Sequence, residues 1–504
     1  MINRTRRVKC DETKPECLRC SNFGRKCGGY PPKEESPPPK EPTLPVPRRL
    51  LSKALAPKSP TPSPCPSPIP LPSTPVYQPY LPVGLEFKDE QEYRYFCHFR
   101  DRTAFEISSG FDPSLWNILI IESCNIPAIR QLVVAVAALS LAMAVSPVNV
   151  GELEEGGHHQ YALQRYGEAL KGLQEMVSDG LDTMRTALIS ALLIFCLESL
   201  QRNPEAVTNV QSAIEMIIRR ISEEPHSFYF TRVTALGFGA NPKIDRDLLT
   251  AFMRSDRPCL QLLSHQRVGV QPRSKRIFNI LFGEEHLEIP RGFATIADAR
   301  VYFEDIKWRI PTDSYLVKSV ARLRSVLDSG NEALQQLLLP TQQQDWHETS
   351  GMLDTSSSLS LELAHWHDAF SPILNYAMSP DGDSLFSAAM ILHIQALAAY
   401  LVASGFSEDR GEQSPEHPTV RAIISMSCQL VAHQQFSTGF VFDSGIIVPL
   451  VNVWLFCPLR ELQIEAIEVL ESMIPRQEGC WDSRFAAESG RKYIQLEATK
   501  SKRA

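Results

Sequence analysis

The stretch Arg6–Tyr30, RRVKCDETKPECLRCSNFGRKCGGY, decides how the front of this 504-residue chain is read. Its cysteines, Cys10, Cys17, Cys20 and Cys27, are spaced C-x6-C-x2-C-x6-C directly behind the basic run Arg4-Thr5-Arg6-Arg7-Val8-Lys9. A thiolate pair two residues apart grips one tetrahedral zinc, and the six-residue arms bring further thiolates to the same centre. The positive charge is local: residues 1–30 hold eight Lys or Arg against three Asp or Glu, within a chain of net charge -7. Phosphate binding requires such a patch. Charge alone would equally fit a solvated arm or a nuclear-import signal, and the cysteine spacing tips the reading towards a nucleic-acid module.

The stretch resembles the fungal binuclear zinc-cluster module, in which six cysteines spaced C-x2-C-x6-C-x6-C-x2-C-x6-C hold two zincs. Cys10, Cys17, Cys20 and Cys27 match its third to sixth ligands, the second falls on Asn3, and the first precedes Met1. In the family the first and fourth ligands bridge both metals, so Cys17 keeps a bridging place and its fellow bridge is lost. The expected cofactor is zinc, two ions in the complete module and one or none on this chain. Metal binding contributes roughly 10–16 kcal/mol in small structural zinc sites, so the fold of the head depends on it. Two readings stay open: the missing ligands lie upstream of Met1, or the chain is a short form without sequence-specific binding.

The resemblance also implies a short helix between the second and third ligands that enters the major groove. On it Arg7 is the main base reader, with Arg6 beside it, Lys9 nearer the backbone and Arg4 as a further DNA-contacting cation. An arginine fork matches guanine O6 and N7, worth about 1–3 kcal/mol against a wrong base, which suits the family's CGG triplets. The implied partners are double-stranded DNA and the RNA polymerase II transcription machinery, and the implied compartment is the nucleus.

After Tyr30 the composition changes, and residues 31–82 hold 19 of the chain's 38 prolines. No helix survives that density, so residues 31–84 read as an extended, disordered linker. No run of apolar heptads follows the cysteines, which leaves a homodimer open without a visible coiled coil.

From about Leu85 the pattern turns helical. Ala128 to Val145, Arg185 to Leu200, Val207 to Arg220, Leu385 to Val402 and Val420 to His433 read as long apolar or amphipathic helices. In Glu461 to Met473 the apolar residues Leu462, Ala466, Val469 and Met473 recur at the period of one helix face, between Pro458 and Pro475. The fold class is therefore all-α: residues 85–498 form a large helical domain of antiparallel helix pairs, and residues 499–504 a basic tail.

This body resembles the fungal-specific transcription factor domain. The likeness rests on His158-His159-Gln160-Tyr161 with Tyr166, on ALISALLIFCLESLQRN from Ala187 to Asn203, and on IPRGFATIADAR from Ile289 to Arg300. It ends with Phe442-Asp443-Ser444-Gly445 followed by Pro475-Arg476-Gln477-Glu478-Gly479-Cys480-Trp481-Asp482-Ser483. In that last string Gly479 is expected to relax a turn, Trp481 to enter the core, and Asp482 or Ser483 to cap the next helix. The resemblance implies a regulatory domain and identifies no ligand.

Composition, with 43% hydrophobic and 22% charged residues, is ordinary for a soluble protein. A basic run stands where a cleavable signal would be apolar, so secretion is not expected. The longest strongly apolar stretch, near Leu132 to Val145, is short of the roughly 18–20 residues a bilayer crossing needs, and no membrane partner is expected. The other cysteines, Cys65, Cys97, Cys124, Cys196, Cys259, Cys428, Cys457 and Cys480, are scattered. They read as reduced, small hydrophobes rather than a disulfide framework. Catalytic candidates are weak. His365 and His367, two apart on a helix, point away from each other, and so do His158 and His159. No nucleophile elbow, phosphate-binding loop or dinucleotide fingerprint occurs, and an enzyme is not expected.

Overall fold

The computed structural model describes residues 2–3, 8–9, 85–111, 115–121, 123–145, 157–179, 184–223, 246–262, 287–310, 353–404, 417–434, 436 and 439–501. Two compact units divide the chain, Met1–Ile69 and Pro70–Ala504.

In the first unit β1 (Ile2–Asn3) and β2 (Val8–Lys9) pair antiparallel, with Ile2 opposite Lys9 and Asn3 opposite Val8. Extended backbone at Val8 and Lys9 thus stands where the resemblance implied a short helix. The β-branched Ile2 and Val8 favour the pleated conformation, and the pairing satisfies backbone groups of both segments. The linker lies outside the described residues.

The described part of the second unit is helical almost throughout, around two hydrophobic cores. The first core gathers α1 (Glu90–His98), α2 (Ala104–Ser108), α3 (Pro127–Val145), α4 (His158–Ser178), α5 (Met184–Leu200), α6 (Glu205–Glu223) and α7 (Arg246–Leu262). The second gathers α8 (Ile296–Arg309), α9 (Leu353–Ala377), α10 (Asp383–Ala403), α11 (Pro418–Val431), α12 (Ile447–Phe456), α13 (Arg460–Ser472) and α14 (Ser483–Ser501). Chain neighbours pack together: α3 on α4, α5 on α6, α9 on α10, and α12, α13 and α14 in succession.

Local chemistry starts these helices. The Asp89 carboxylate accepts from the Glu92 N–H at 2.7 Å ahead of α1. The Thr295 hydroxyl accepts from the Asp298 N–H at 3.0 Å and donates to its carboxylate at 2.8 Å, opening α8. The face predicted for α13 is the buried one: Leu462, Ala466, Val469 and, just past its end, Met473 all lie in the second core.

A small sheet completes the second unit. β3 (Phe440–Val441) pairs parallel with β4 (Gln477–Glu478), which pairs antiparallel with β5 (Trp481–Asp482). Strands of two residues are too short for a period of two to register in sequence.

Among the described residues the Pro380–Ala403 stretch, rather than Leu132 to Val145, is long and apolar enough by length and composition to cross a bilayer. Its position argues for a core helix: Ala389 and Ile391, on opposite sides of α10, are 0% and 1% exposed. Ala389→Asp and Ile391→Asp are therefore both expected to destabilise the body by several kcal/mol. Urea denaturation checks this, and tolerance of either change would mean that one side of α10 is unpacked.

Candidate functional site

Of the residues expected to hold zinc or touch DNA, Cys10, Cys17, Cys20, Cys27, Arg4, Arg6 and Arg7 lie outside the described residues. Only the backbone of Lys9 is described, in β2. Four motifs of the body meet at the seam of the two cores, through Phe195 and Arg202, Arg300, Asp443 and the 475–483 string, whereas His158, Tyr161 and Tyr166 pack within the first core.

The seam is built around the β4–β5 hairpin. Its two-residue turn is Gly479-Cys480, and Gly479 takes φ +55°, the left-handed region that glycine enters without steric cost. A side chain there would also meet the Phe442 carbonyl oxygen at 3.1 Å. The turn sends Trp481 into the core at 0% exposure, where its indole Nε1–H donates to the Pro258 carbonyl at 3.1 Å. Of the two expected caps, Asp482 takes the role, its Oδ1 accepting from the Phe485 N–H at 2.9 Å at the start of α14. The Ser483 hydroxyl instead accepts from the Arg476 N–H at 3.1 Å.

Opposite Trp481, Glu478 is wholly buried. Its Oε2 accepts from the N–H groups of Gly445 and Ile447, each at 2.8 Å, and its Oε1 from that of Ile446 at 3.0 Å. These N–H groups lead into and open α12, with Ile446 as its N-cap and Ile447 its first residue, and they have no partner within the helix. Arg476 Nε donates to the same Oε1 at 2.7 Å, and its guanidinium lies 4.1 Å over the Phe436 ring. Gly445 makes this approach possible, because a Cβ there would run into the Glu478 carboxylate.

Two residues before Gly445, Asp443 joins the cores. Its Oδ1 accepts from Arg254 Nε of α7 and its Oδ2 from Arg300 Nη2 of α8, both at 2.8 Å. Burial pushes the Asp443 carboxyl up, but the two guanidiniums overcome it and hold the group well below the usual carboxylate range. Arg300 also lies 3.9 Å over the Phe111 ring. The IADAR and FDSG motifs, 143 residues apart in sequence at Arg300 and Asp443, are thus one ionic contact. Arg254, 189 residues from Asp443, drew no attention from the sequence, since a charge on an amphipathic helix carries no mark of a distant partner.

The carboxylates of Asp443 and Glu478 at the seam bond to arginines and backbone N–H groups, which makes the arrangement a clamp. His367 pairs with His393 rather than His365, with Nδ1 to Nε2 at 2.9 Å and ring centroids 4.7 Å apart. Burial, then His367, pushes His393 down to about 4. His158 Nδ1 sits 2.6 Å from the Tyr95 hydroxyl. Among the described residues no three His, Cys, Asp or Glu converge as a metal site.

Residues 4–37 match the fungal Zn(2)-Cys(6) binuclear cluster domain. The chain is 29% identical over 219 residues to the aspercryptin biosynthesis cluster-specific transcription regulator of Emericella nidulans, covering 43% of this chain and 34% of that protein. It is 25% identical over 207 residues to the transcription regulator lscL of Purpureocillium lilacinum, covering 40% and 44% of the two chains. A 28-residue stretch, 6% of each chain, is 64% identical to the transcriptional regulatory protein moc3 of Schizosaccharomyces pombe. The matched stretch spans about a third of the first relative and under half of the second. No solved structure matches. The chain carries a zinc-cluster domain match over residues 4–37 and is homologous to fungal transcription regulators.

Two outcomes follow from the geometry. Asp443→Asn leaves two buried guanidiniums without their counter-charge and is expected to cost about 3–5 kcal/mol in urea denaturation; unchanged stability would overturn the clamp. His393 titrates near 4 when folded and near the ordinary 6.5 when unfolded, so the unfolded chain takes up the proton first. Stability is then complete above about pH 6.5 and falls by about 1.4 kcal/mol per pH unit as pH drops towards 4. His393→Asn should remove that slope, as chemical denaturation across this range will show. The Asp443 contribution is lost only below the ordinary aspartate range, so the two effects separate.

Proposed function

We propose that this chain is a nuclear, zinc-cluster transcription regulator of RNA polymerase II genes, whose head reads CGG-like DNA and whose helical body controls its activity. The observation that carries this reading is the family match over residues 4–37, which falls on the same residues as the cysteine spacing and the local positive charge. The similarity to fungal transcription regulators supports it. We divide the chain into a head, residues 1–30, a proline-rich linker, residues 31–84, a helical regulatory domain, residues 85–498, and a basic tail.

The thiolates of Cys10, Cys17, Cys20 and Cys27 suit one tetrahedral zinc as a donor set, and a pair of zincs needs further ligands. Zinc would supply the cross-link that a thirty-residue segment lacks the core to provide. Arg7 and Arg6 then offer guanidinium forks to guanine edges, while Lys9 and Arg4 neutralise phosphates. Asn3, paired with Val8 and standing at the second ligand's place, favours a second reading in which the body acts through protein partners without the head binding DNA.

The test is titration of zinc-loaded full-length protein against CGG-bearing and scrambled duplexes at several salt concentrations, beside a chelator-treated sample. Specific binding lost with the metal supports the first reading; equal binding to both duplexes supports the second. Arg7→Ala is expected to lower affinity for CGG DNA and relax discrimination by about 1–3 kcal/mol. Lys9→Ala should weaken all duplexes alike and reduce the salt slope by about one. An equal loss on both duplexes for Arg7→Ala would remove its assigned role.

A further inference from the structure

Two thiols face each other at the seam. Cys259, near the end of α7, directs its Sγ at the Sγ of Cys480, 3.5 Å away, although the residues are 221 apart in sequence. Cys259 belongs to the first core and is 1% exposed, whereas Cys480 is partly exposed and packs against both cores. The backbones on either side are tied together. Pro258, next to Cys259, accepts the Trp481 indole N–H at 3.1 Å, and Trp481 is next to Cys480. A disulfide needs about 2.05 Å between sulfurs, so the gap must close by roughly 1.5 Å, within reach of side-chain rotation on a two-residue turn.

The Cys480 contact and burial push the Cys259 thiol well above its ordinary value, and the sulfur contact is what sets the pair apart from the buried Cys124 and Cys196. Burial pushes Cys124 up to about 12 and Cys196 well above its ordinary value, and Cys124 gives its S–H to the Ile120 carbonyl. Neither is paired with a second sulfur. At the seam Cys480 is partly exposed and Cys259 is buried in contact with it, the arrangement of an attacking and a resolving thiol.

We propose that Cys259 and Cys480 are an oxidation site for hydrogen peroxide, closing a disulfide that covalently joins the two cores of the helical body. The Cys480 thiolate attacks one peroxide oxygen, breaking the O–O bond, and becomes a sulfenic acid with release of hydroxide. The Cys259 sulfur then attacks the sulfenic sulfur. An S–S bond forms, the S–O bond breaks, and the Cys259 proton leaves with the hydroxyl as water. Two thiols are oxidised and one peroxide is reduced to two waters. The link constrains the unfolded chain through a very long loop and fixes α7 against the β4–β5 hairpin. This site stands on the geometry of the body and does not depend on whether the head binds DNA.

The experiment treats the reduced, zinc-loaded full-length protein with stoichiometric hydrogen peroxide, alkylates free thiols, and maps peptides by mass spectrometry with and without dithiothreitol. The expected result is a peptide pair linked through Cys259 and Cys480 that separates on reduction, with a melting temperature raised by oxidation and restored by dithiothreitol. Cys259→Ser should leave Cys480 as a sulfenic acid trapped by dimedone, and Cys480→Ser should abolish both the link and the melting shift. Cys480 advancing to sulfinic acid while Cys259 stays alkylated would overturn the proposal. So would a link from Cys480 to any other cysteine, or a pair that peroxide leaves reduced.

Discussion

The carboxylate of Glu478 is buried completely, and it accepts three backbone N–H groups at the start of α12 and one from Arg476. A charge in that position is stable only because every approach to it is filled by a donor. The rest of the seam follows from meeting that demand. Gly445 is without a side chain so that the carboxylate can come close, and Gly479 bends the hairpin so that Glu478 points at the helix. The Ser483 hydroxyl and the Phe436 ring hold Arg476 in line. Any loss among these leaves an ion in an apolar core, so the motif behaves as one unit.

Asp443 extends the same logic across the molecule. Its two arginines come from α7 and α8, on opposite sides of the seam, so the two cores meet through charge as well as through apolar contact. Asp482 adds a third ionic link, 3.0 Å from Arg202 at the end of α5. A joint made of ion pairs is more selective about geometry than one made of aliphatic packing, because guanidinium and carboxylate must meet in line. The Cys259–Cys480 contact lies in the same joint.

The head and the body answer to different forces. The body buries long helices with residues such as Leu132, Val133, Leu392 and Trp454 at 0% exposure. The head has four cysteines and eight cations within thirty residues and little apolar content from which to make a core.

From sequence alone come the cysteine spacing, the local positive charge, the proline-rich stretch and the helices of the body. Each depends on residues close in the chain: α5 runs from Met184 where Arg185 was expected, and α13 buries the face its period indicated. Gly479, Trp481 and Asp482 could be assigned their places for the same reason, since turn, core entry and cap are local events. Tertiary structure alone decided that Glu478 caps a helix more than thirty residues earlier in the chain, that Asp443 pairs with Arg254 and Arg300, that His367 meets His393, and that two scattered cysteines touch. A charge, an imidazole or a thiol on a helix reads the same whether it faces water or a partner 200 residues away. Only the packing of the two cores brings those groups within bonding distance.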